Sequence, residues 1–422
     1  MILSVEKSEL SGSVRIPASK SHTVRAVAVA SLAEGTSRIQ NPLISSDTRS
    51  AADVYRGLGA QIEIGSDWVV RGVCGRPSVP DDVLSVGNSG TTLYMSMGSA
   101  ALAGGASIFT GDEQIRSRPA GPLITAIEEL GAEAFSTRGN GAPPLLIKGP
   151  AKGGRIILDG SKTSQYLSSL LINCPLLEQD TEIEVIRAVE TPYIEMTLSW
   201  LKSEGIRYKR EGFDWFSIPG GQSYPAFSKS IPGDFSSATF FLCAAAVSGS
   251  TLTLLGLDMK DSQGDKAVVE MLGAMGAQIE ETPEGIRITG GALCGGDFDL
   301  SATPDALPAM AVTACFAEGR TRLGNVAQAR LKETDRISVM RQELSKMGAQ
   351  IEETPDGLVI EGGPLRAARV SGHGDHRIVM ALAVAGLMCK GRTKIDTAEA
   401  AGITFPNFVE LMTGAGADMV LE

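Results

Sequence analysis

Two kinds of helical pattern alternate along this chain. In the first, apolar residues keep to one face: Ile337, Met340, Leu344 and Met347 recur at helical spacing with polar residues between them, which predicts an amphipathic helix. Each such segment ends at a glycine suited to a left-handed C-cap. In the second kind, as in TVRAVAVASLA, SSATFFLCAAAV and RIVMALAVAGLM, the helix is apolar nearly all round and must be buried on every side. These helices are expected to form interiors, with sheets and amphipathic helices packed around them. Strand pairs follow the amphipathic segments, with turns predicted at residues 282–285 (Thr-Pro-Glu-Gly) and 354–357 (Thr-Pro-Asp-Gly), where a type I turn accepts the proline and the glycine.

The pattern is repeated. Residues 274–291 (AMGAQIEETPEGIRITGG) and 346–363 (KMGAQIEETPDGLVIEGG) are nearly one segment written twice. Weaker copies are GLGAQIEIGSDWVVRG, ELGAEAFSTRGNGAPPLLIKG, SEGIRYKREGFDWFSIPGG and GAGADMVLE. The signature glycines are Gly59, Gly131, Gly205, Gly276, Gly348 and Gly416, spaced 68 to 74 residues apart. Six such units in one ring would be unusual, so three per lobe in two similar lobes is the expected arrangement, with a boundary near residues 228–233.

Bulk properties narrow the function. A chain of 422 residues that is 43% hydrophobic can bury at least one large core. The first residues, MILSVEKSEL, lack the order of a signal peptide, and the apolar runs at 240–247 and 378–389 are too short to span a bilayer. A soluble, cytoplasmic protein is expected, with no membrane partner. The formal charge of −11 argues against nucleic acid, which usually needs a basic face. Anionic small molecules remain open, because local field rather than total charge governs a cleft. The six cysteines are scattered without a CxxC pair, so buried free thiols are expected rather than disulfides, zinc or a nucleophile. Three histidines without HExxH make a metal site unexpected.

Candidate chemistry sits at one phase of the repeat. Immediately before the buried helices stand SKSHTVR, GNSGTT, GSKTSQY, GDFSSA, TPDALP and GDHR. Helix N-termini offer unpaired N–H groups and partial positive charge, so anions bind there readily. The plainer reading is that Ser, Thr, Asp and Asn only cap the helices. Capping does not account for Lys20, Arg25, Asn88, Gln165, Asp305 and Arg377 at this same phase. The amphipathic helices carry a second set: GDEQIRSRP, TPYIEMT and LKETDR. Lys332, Glu333 and Arg336 lie within about one helical turn, an arrangement that in isolation is usually a solvated surface.

Together these segments resemble the EPSP synthase family of enolpyruvyl transferases over essentially the whole chain. The resemblance rests on KS-x3-R, GN-x-GT, R-x-RP, SQ-x-L, TPYI, GD-x-SSA, PDA, KETDR and DHR, in that order. It implies an α/β (α+β) fold of two lobes, each of three βαβαββ units around buried parallel helices, an inside-out α/β barrel. Residues 1–18 plus 230–422 would form one lobe and 19–229 the other, with the active site in the cleft between them. The implied reaction transfers the enolpyruvyl group of phosphoenolpyruvate to the 5-hydroxyl of shikimate 3-phosphate and releases phosphate, a step toward chorismate and the aromatic amino acids. No cofactor is implied, and a monomer is expected.

By the same resemblance, Lys20, Ser21, Arg25, Thr163, Ser164, Gln165, Tyr193, Asp305, Gln328 and Lys332 would hold shikimate 3-phosphate. Lys20, Gly90, Arg118, Gln165, Arg336 and Arg377 would hold phosphoenolpyruvate. Asp305 would accept the hydroxyl proton, with Glu333 and Lys20 as the proton-delivery pair. His376 would be an orienting partner, or a capping or core residue. Gly90 implies sensitivity to glyphosate. The chain departs from the family at Tyr94 (commonly Arg), Glu190 (often Ser), Gln328 (often Asn) and Ile403 (in many members a Lys touching phosphoenolpyruvate). Two other readings compete with this one. The related transferase acting on UDP-N-acetylglucosamine usually has Asn after the first Lys and a Cys in the mobile loop, whereas Ser21 follows Lys20 here and residues 111–119 lack Cys. A non-catalytic ligand-binding repeat protein would not need the acid–base residues.

Overall fold

A computed structural model describes all of residues 1–422. The chain forms two compact units, one of Ala18–Ile231 and one of Met1–Pro17 with Pro232–Glu422. Each has its own hydrophobic core.

One topology serves all six repeats. In residues 154–218 a strand, Gly154–Asp159, is followed by the buried helix Gln165–Asn173 and a second strand, Thr181–Ile186, which pairs parallel to the first. The amphipathic helix Thr191–Ser203 then leads to the hairpin of Lys209–Glu211 and Trp215–Ile218, whose second strand pairs antiparallel with Thr181–Ile186. This is the expected βαβαββ unit, and the sheet order recurs in six four-stranded sheets, three per unit. Two of the sheets take a strand from the distant N-terminus. Leu3–Glu6 lies between Thr393–Asp396 and Asp418–Leu421, and Ser11–Arg15 pairs with Thr251–Leu255.

The local expectations hold in detail. All six signature glycines have positive φ, from 75° at Gly205 to 115° at Gly276, a region that costs a residue with a Cβ. The two expected turns are two-residue hairpins, with Thr282 opposite Gly285 and Thr354 opposite Gly357. A Cβ at Gly285 would lie 2.0 Å from the Leu254 carbonyl oxygen, and one at Gly357 1.8 Å from that of Leu323, so only glycine lets the next strand approach. The apolar helices are buried all round: His22 to Leu32 of Lys20–Leu32, Phe235 to Ala246 of Phe235–Ser248, and the whole of His376–Gly386. No helix is long and apolar enough to cross a membrane.

The expectation of buried thiols holds for Cys174, Cys243, Cys315 and Cys389, whereas Cys74 and Cys294 are exposed. Both exceptions lie in connections beyond a strand end rather than in the apolar helices. Burial pushes the thiols of Cys174, Cys243 and Cys315 up to about 12, which suppresses their thiolates.

Candidate active site

The capping reading and the anion-site reading separate cleanly. Four buried helices are capped by the side chain just outside them: Ser19 accepts from the N–H of His22, Ser89 from Thr92, Asp234 from Ser237 and Asp375 from Arg377. None of the charged or amide residues singled out at this phase is a cap. Lys20, Arg25, Gln165 and Arg377 lie within the first two turns of their helices, and the helices Gln165–Asn173 and Leu307–Cys315 have no side-chain cap, so capping does not account for these residues.

In the unit Ala18–Ile231 the central feature is Arg25, with 0% of its surface exposed. Its Nε donates to Thr197 Oγ1 at 2.9 Å and its Nη1 to the Ser21 carbonyl at 3.1 Å. Its Nη2 donates to Gln165 Oε1, Ser168 Oγ and the Tyr193 carbonyl at 3.2, 3.3 and 3.0 Å. Every acceptor is neutral, so this cation is buried without a carboxylate, and burial pulls its pKa down to about 9. An incoming dianion would complete the site, since paired buried charges offset desolvation that a lone one suffers. Around it, Gln165 Nε2 donates to Ser164 Oγ at 2.9 Å, and Lys20 Nζ donates to Asp47 Oδ2 at 3.1 Å. A Cβ on Gly90 would sit 3.6 Å from Arg118 Nη1 and 3.8 Å from a ring carbon of Tyr94, so Gly90 borders the face of that guanidinium.

In the other unit the residues converge on Asp305, in the turn Pro304–Ala306 that opens the helix Leu307–Cys315. Its Oδ1 accepts from Arg336 Nη1 at 2.7 Å and its Oδ2 from Arg377 Nη2 at 2.9 Å. Arg336, 1% exposed, also donates from Nε to Asp375 Oδ2 at 2.8 Å and from Nη2 to Asp375 Oδ1 at 3.2 Å, and it touches Glu333 Oε2. Burial would raise the Asp305 carboxyl, but Arg377, Arg336 and Lys332 together overcome this and hold it far below the ordinary range. Gln328 Nε2 is anchored on the Ser301 carbonyl at 3.0 Å. His376 is buried as the first residue of its helix and does not cap it, since the cap is Asp375.

The family model for EPSP synthase (3-phosphoshikimate 1-carboxyvinyltransferase) matches residues 5–412. The chain belongs to the EPSP synthase family. It is 56% identical to the 3-phosphoshikimate 1-carboxyvinyltransferase of Acetivibrio thermocellus, over 99% of each chain, and 54% identical to that of Ruminiclostridium cellulolyticum, over 100% of each. A solved structure of EPSP synthase from Acinetobacter baumannii matches with a TM-score of 0.83 at 28% identity, covering 100% of both chains.

Departures from the family pattern acquire physical meaning. Tyr94 packs edge-on against Tyr166, with ring centroids 4.9 Å apart, and the two hydroxyls donate to the Pro119 carbonyl at 2.9 and 2.6 Å. The tyrosine that replaces an arginine thus pins the backbone beside Arg118. Glu190, in the left-handed region at φ 51°, accepts from Ser164 Oγ at 3.0 Å and Thr163 Oγ1 at 3.4 Å, which orients two hydroxyls expected to face substrate. Ile403 packs its side chain against the hydrophobic core. Sequence reasoning overlooked Asp47, the partner of Lys20, and gave no role to Asp375, which braces Arg336. The signal for Asp47 was its place in the capping box Ser45–Thr48 that starts the helix Ser46–Gly57, the same phase at which the other repeats carry candidate site residues.

Proposed function

We propose that the enzyme transfers the enolpyruvyl group of phosphoenolpyruvate to the 5-hydroxyl of shikimate 3-phosphate with release of phosphate. The observation that carries this reading is the Asp305 carboxylate held between Arg336 and Arg377, beside Glu333. Two guanidiniums suit the carboxylate and phosphate of phosphoenolpyruvate, because each presents forked donors to either group. When those anions take up part of the guanidinium field, the hold on Asp305 slackens and its basicity rises. Asp305 then accepts the proton of the 5-hydroxyl as its oxygen bonds to the enol carbon, while Glu333 and Lys20 deliver a proton to the methylene carbon. Loss of that proton and departure of phosphate restore the double bond. Arg25, Ser164 and Gln165 hold the shikimate phosphate in this reading, and Thr163, Tyr193, Gln328 and Lys332 line the same substrate. We place the protein in the cytoplasm as a monomer.

A coupled assay of phosphate release tests the activity directly. Release is expected with phosphoenolpyruvate and shikimate 3-phosphate; release only with UDP-N-acetylglucosamine would overturn the assignment.

Three further results are expected. Arg25→Met removes a buried cation with no carboxylate partner, so thermal unfolding is expected to show no loss of stability. The Kd for shikimate 3-phosphate, read by titration calorimetry, is expected to rise roughly 10- to 100-fold, as for a lost hydrogen bond to a charged group; an unchanged Kd would remove Arg25 from that site. Ile403→Lys restores a cation on a stem long enough to leave the core edge, and KM for phosphoenolpyruvate is expected to fall roughly threefold, as for a partly exposed ion pair. An unchanged or higher KM would contradict this placement. Gly90→Ala introduces a methyl group without a clash, so the fold is expected to persist while glyphosate inhibition weakens by at least about tenfold, as overpacking at a ligand contact costs about 1–3 kcal/mol. Equal inhibition of both proteins would refute a role for Gly90 in glyphosate binding.

A further inference from the structure

A buried carboxylate outside all the motifs above stands behind the Arg377 guanidinium. Asp265 lies in the turn Gly264–Lys266 before the helix Ala267–Met275, with 3% of its surface exposed. In the repeat this is the phase occupied by Asp47 and by the KETDR segment. Its Oδ2 accepts from Ser236 Oγ. Ser236, in the first turn of the helix Phe235–Ser248, accepts in turn from Arg377 Nη2 at 3.2 Å, and the same nitrogen donates to Asp305 at 2.9 Å.

The order of donors makes this a directed chain. A serine hydroxyl has one proton and two lone pairs. Because Asp265 takes the proton, the lone pairs of Ser236 face Arg377. The turn that carries Asp265 is latched to the helix that carries Ser236: Gln263 Oε1 accepts from the Phe235 N–H and Gln263 Nε2 donates to the Gly233 carbonyl, both at 2.9 Å.

We propose that Asp265, acting through Ser236, is a positioning residue that aims the Arg377 guanidinium at phosphoenolpyruvate. The proposal rests on Arg377 binding that substrate. Asp265 touches neither reactant; its charge sets the direction of one hydroxyl, and that hydroxyl sets one edge of the guanidinium.

The charge is conditional. Burial, then the Asp305 carboxylate on its turn, raise Asp265; Arg377 on the helix His376–Gly386 and the Ser236 bond oppose this, and Asp234, the cap of Phe235–Ser248, adds to the rise, leaving the pKa at about 6. Above that pH the carboxylate is ionised and holds the hydroxyl proton. As pH falls through it, Asp265 gains a proton, the pull on Ser236 weakens and Arg377 loses its aligned acceptor.

The test compares the wild type with Asp265→Asn, Ser236→Ala and Arg377→Gln by steady-state phosphate release from about pH 5 to pH 8. At the alkaline end, Asp265→Asn and Ser236→Ala are expected to raise KM for phosphoenolpyruvate by roughly tenfold, with kcat and KM for shikimate 3-phosphate within about twofold of the wild type. The ratio of wild-type to Asp265→Asn kcat/KM is expected to shrink toward one as pH drops below about 6. Ionisations of the substrate phosphates are common to both proteins and cancel in that ratio. A ratio independent of pH, or KM values for both substrates rising together, would overturn the positioning role, and Ser236→Ala provides the same reading should Asp265→Asn not fold. If Arg377→Gln leaves KM for phosphoenolpyruvate unchanged, the assignment of Arg377 fails and the proposal with it; if Arg377→Gln raises KM and the other two variants do not, the proposal alone fails.

Discussion

Asp305→Asn is expected to lower kcat by roughly 10²- to 10⁴-fold, the usual contribution of a positioned general acid or base, with KM for phosphoenolpyruvate no higher than in the wild type. The amide keeps the size of the side chain and can still accept from Arg336 or Arg377, which in the wild type donate to its two oxygens at 2.7 and 2.9 Å. What it lacks is basicity. Removing a negative charge from between two guanidiniums does not weaken their attraction for an anionic substrate, so the loss should fall on kcat. Steady-state phosphate release with each substrate varied in turn separates the two constants. A fall in kcat of less than about tenfold would exclude Asp305 as the group that takes the hydroxyl proton.

Arg336→Met is expected to destabilise the protein by about 3–5 kcal/mol, as when one partner is removed from a buried ion pair. Asp375 is 0% exposed and keeps the Thr334 hydroxyl at 3.1 Å and the helix N–H of Arg377 at 2.9 Å as hydrogen-bond donors, with His376 Nδ1 at 3.9 Å, once the guanidinium is gone. Asp305 and Glu333 lose a cation at the same time. Urea unfolding measures the cost, and the double variant Arg336→Met/Asp375→Asn is expected to recover part of it, because Asn still caps the helix without a buried charge. A single variant as stable as the wild type would mean that this cluster contributes nothing to folding. Arg25→Met is the counterpart expected to spare stability, since its acceptors are all neutral.

Features that depend on short stretches of chain could be read from the residues alone. The signature glycines take positive φ because a helix ends and a strand begins within a few residues of each. The apolar helices are interior because no polar face exists to meet solvent. The order of nine short motifs identified the family, as the match over residues 5–412 bears out.

Contacts between distant stretches were decided by the tertiary structure. Nothing in LSVE or SGSVR says that these strands complete sheets begun near residues 393 and 251, because an edge offers the same backbone groups to any partner of suitable pattern. The same holds for the Lys20–Asp47 pair, the two tyrosines on the Pro119 carbonyl, and the line from Asp265 through Ser236 to Arg377. Periodicity records whether a residue faces inward; which group it meets there depends on how separate elements pack, and that is written in no single segment.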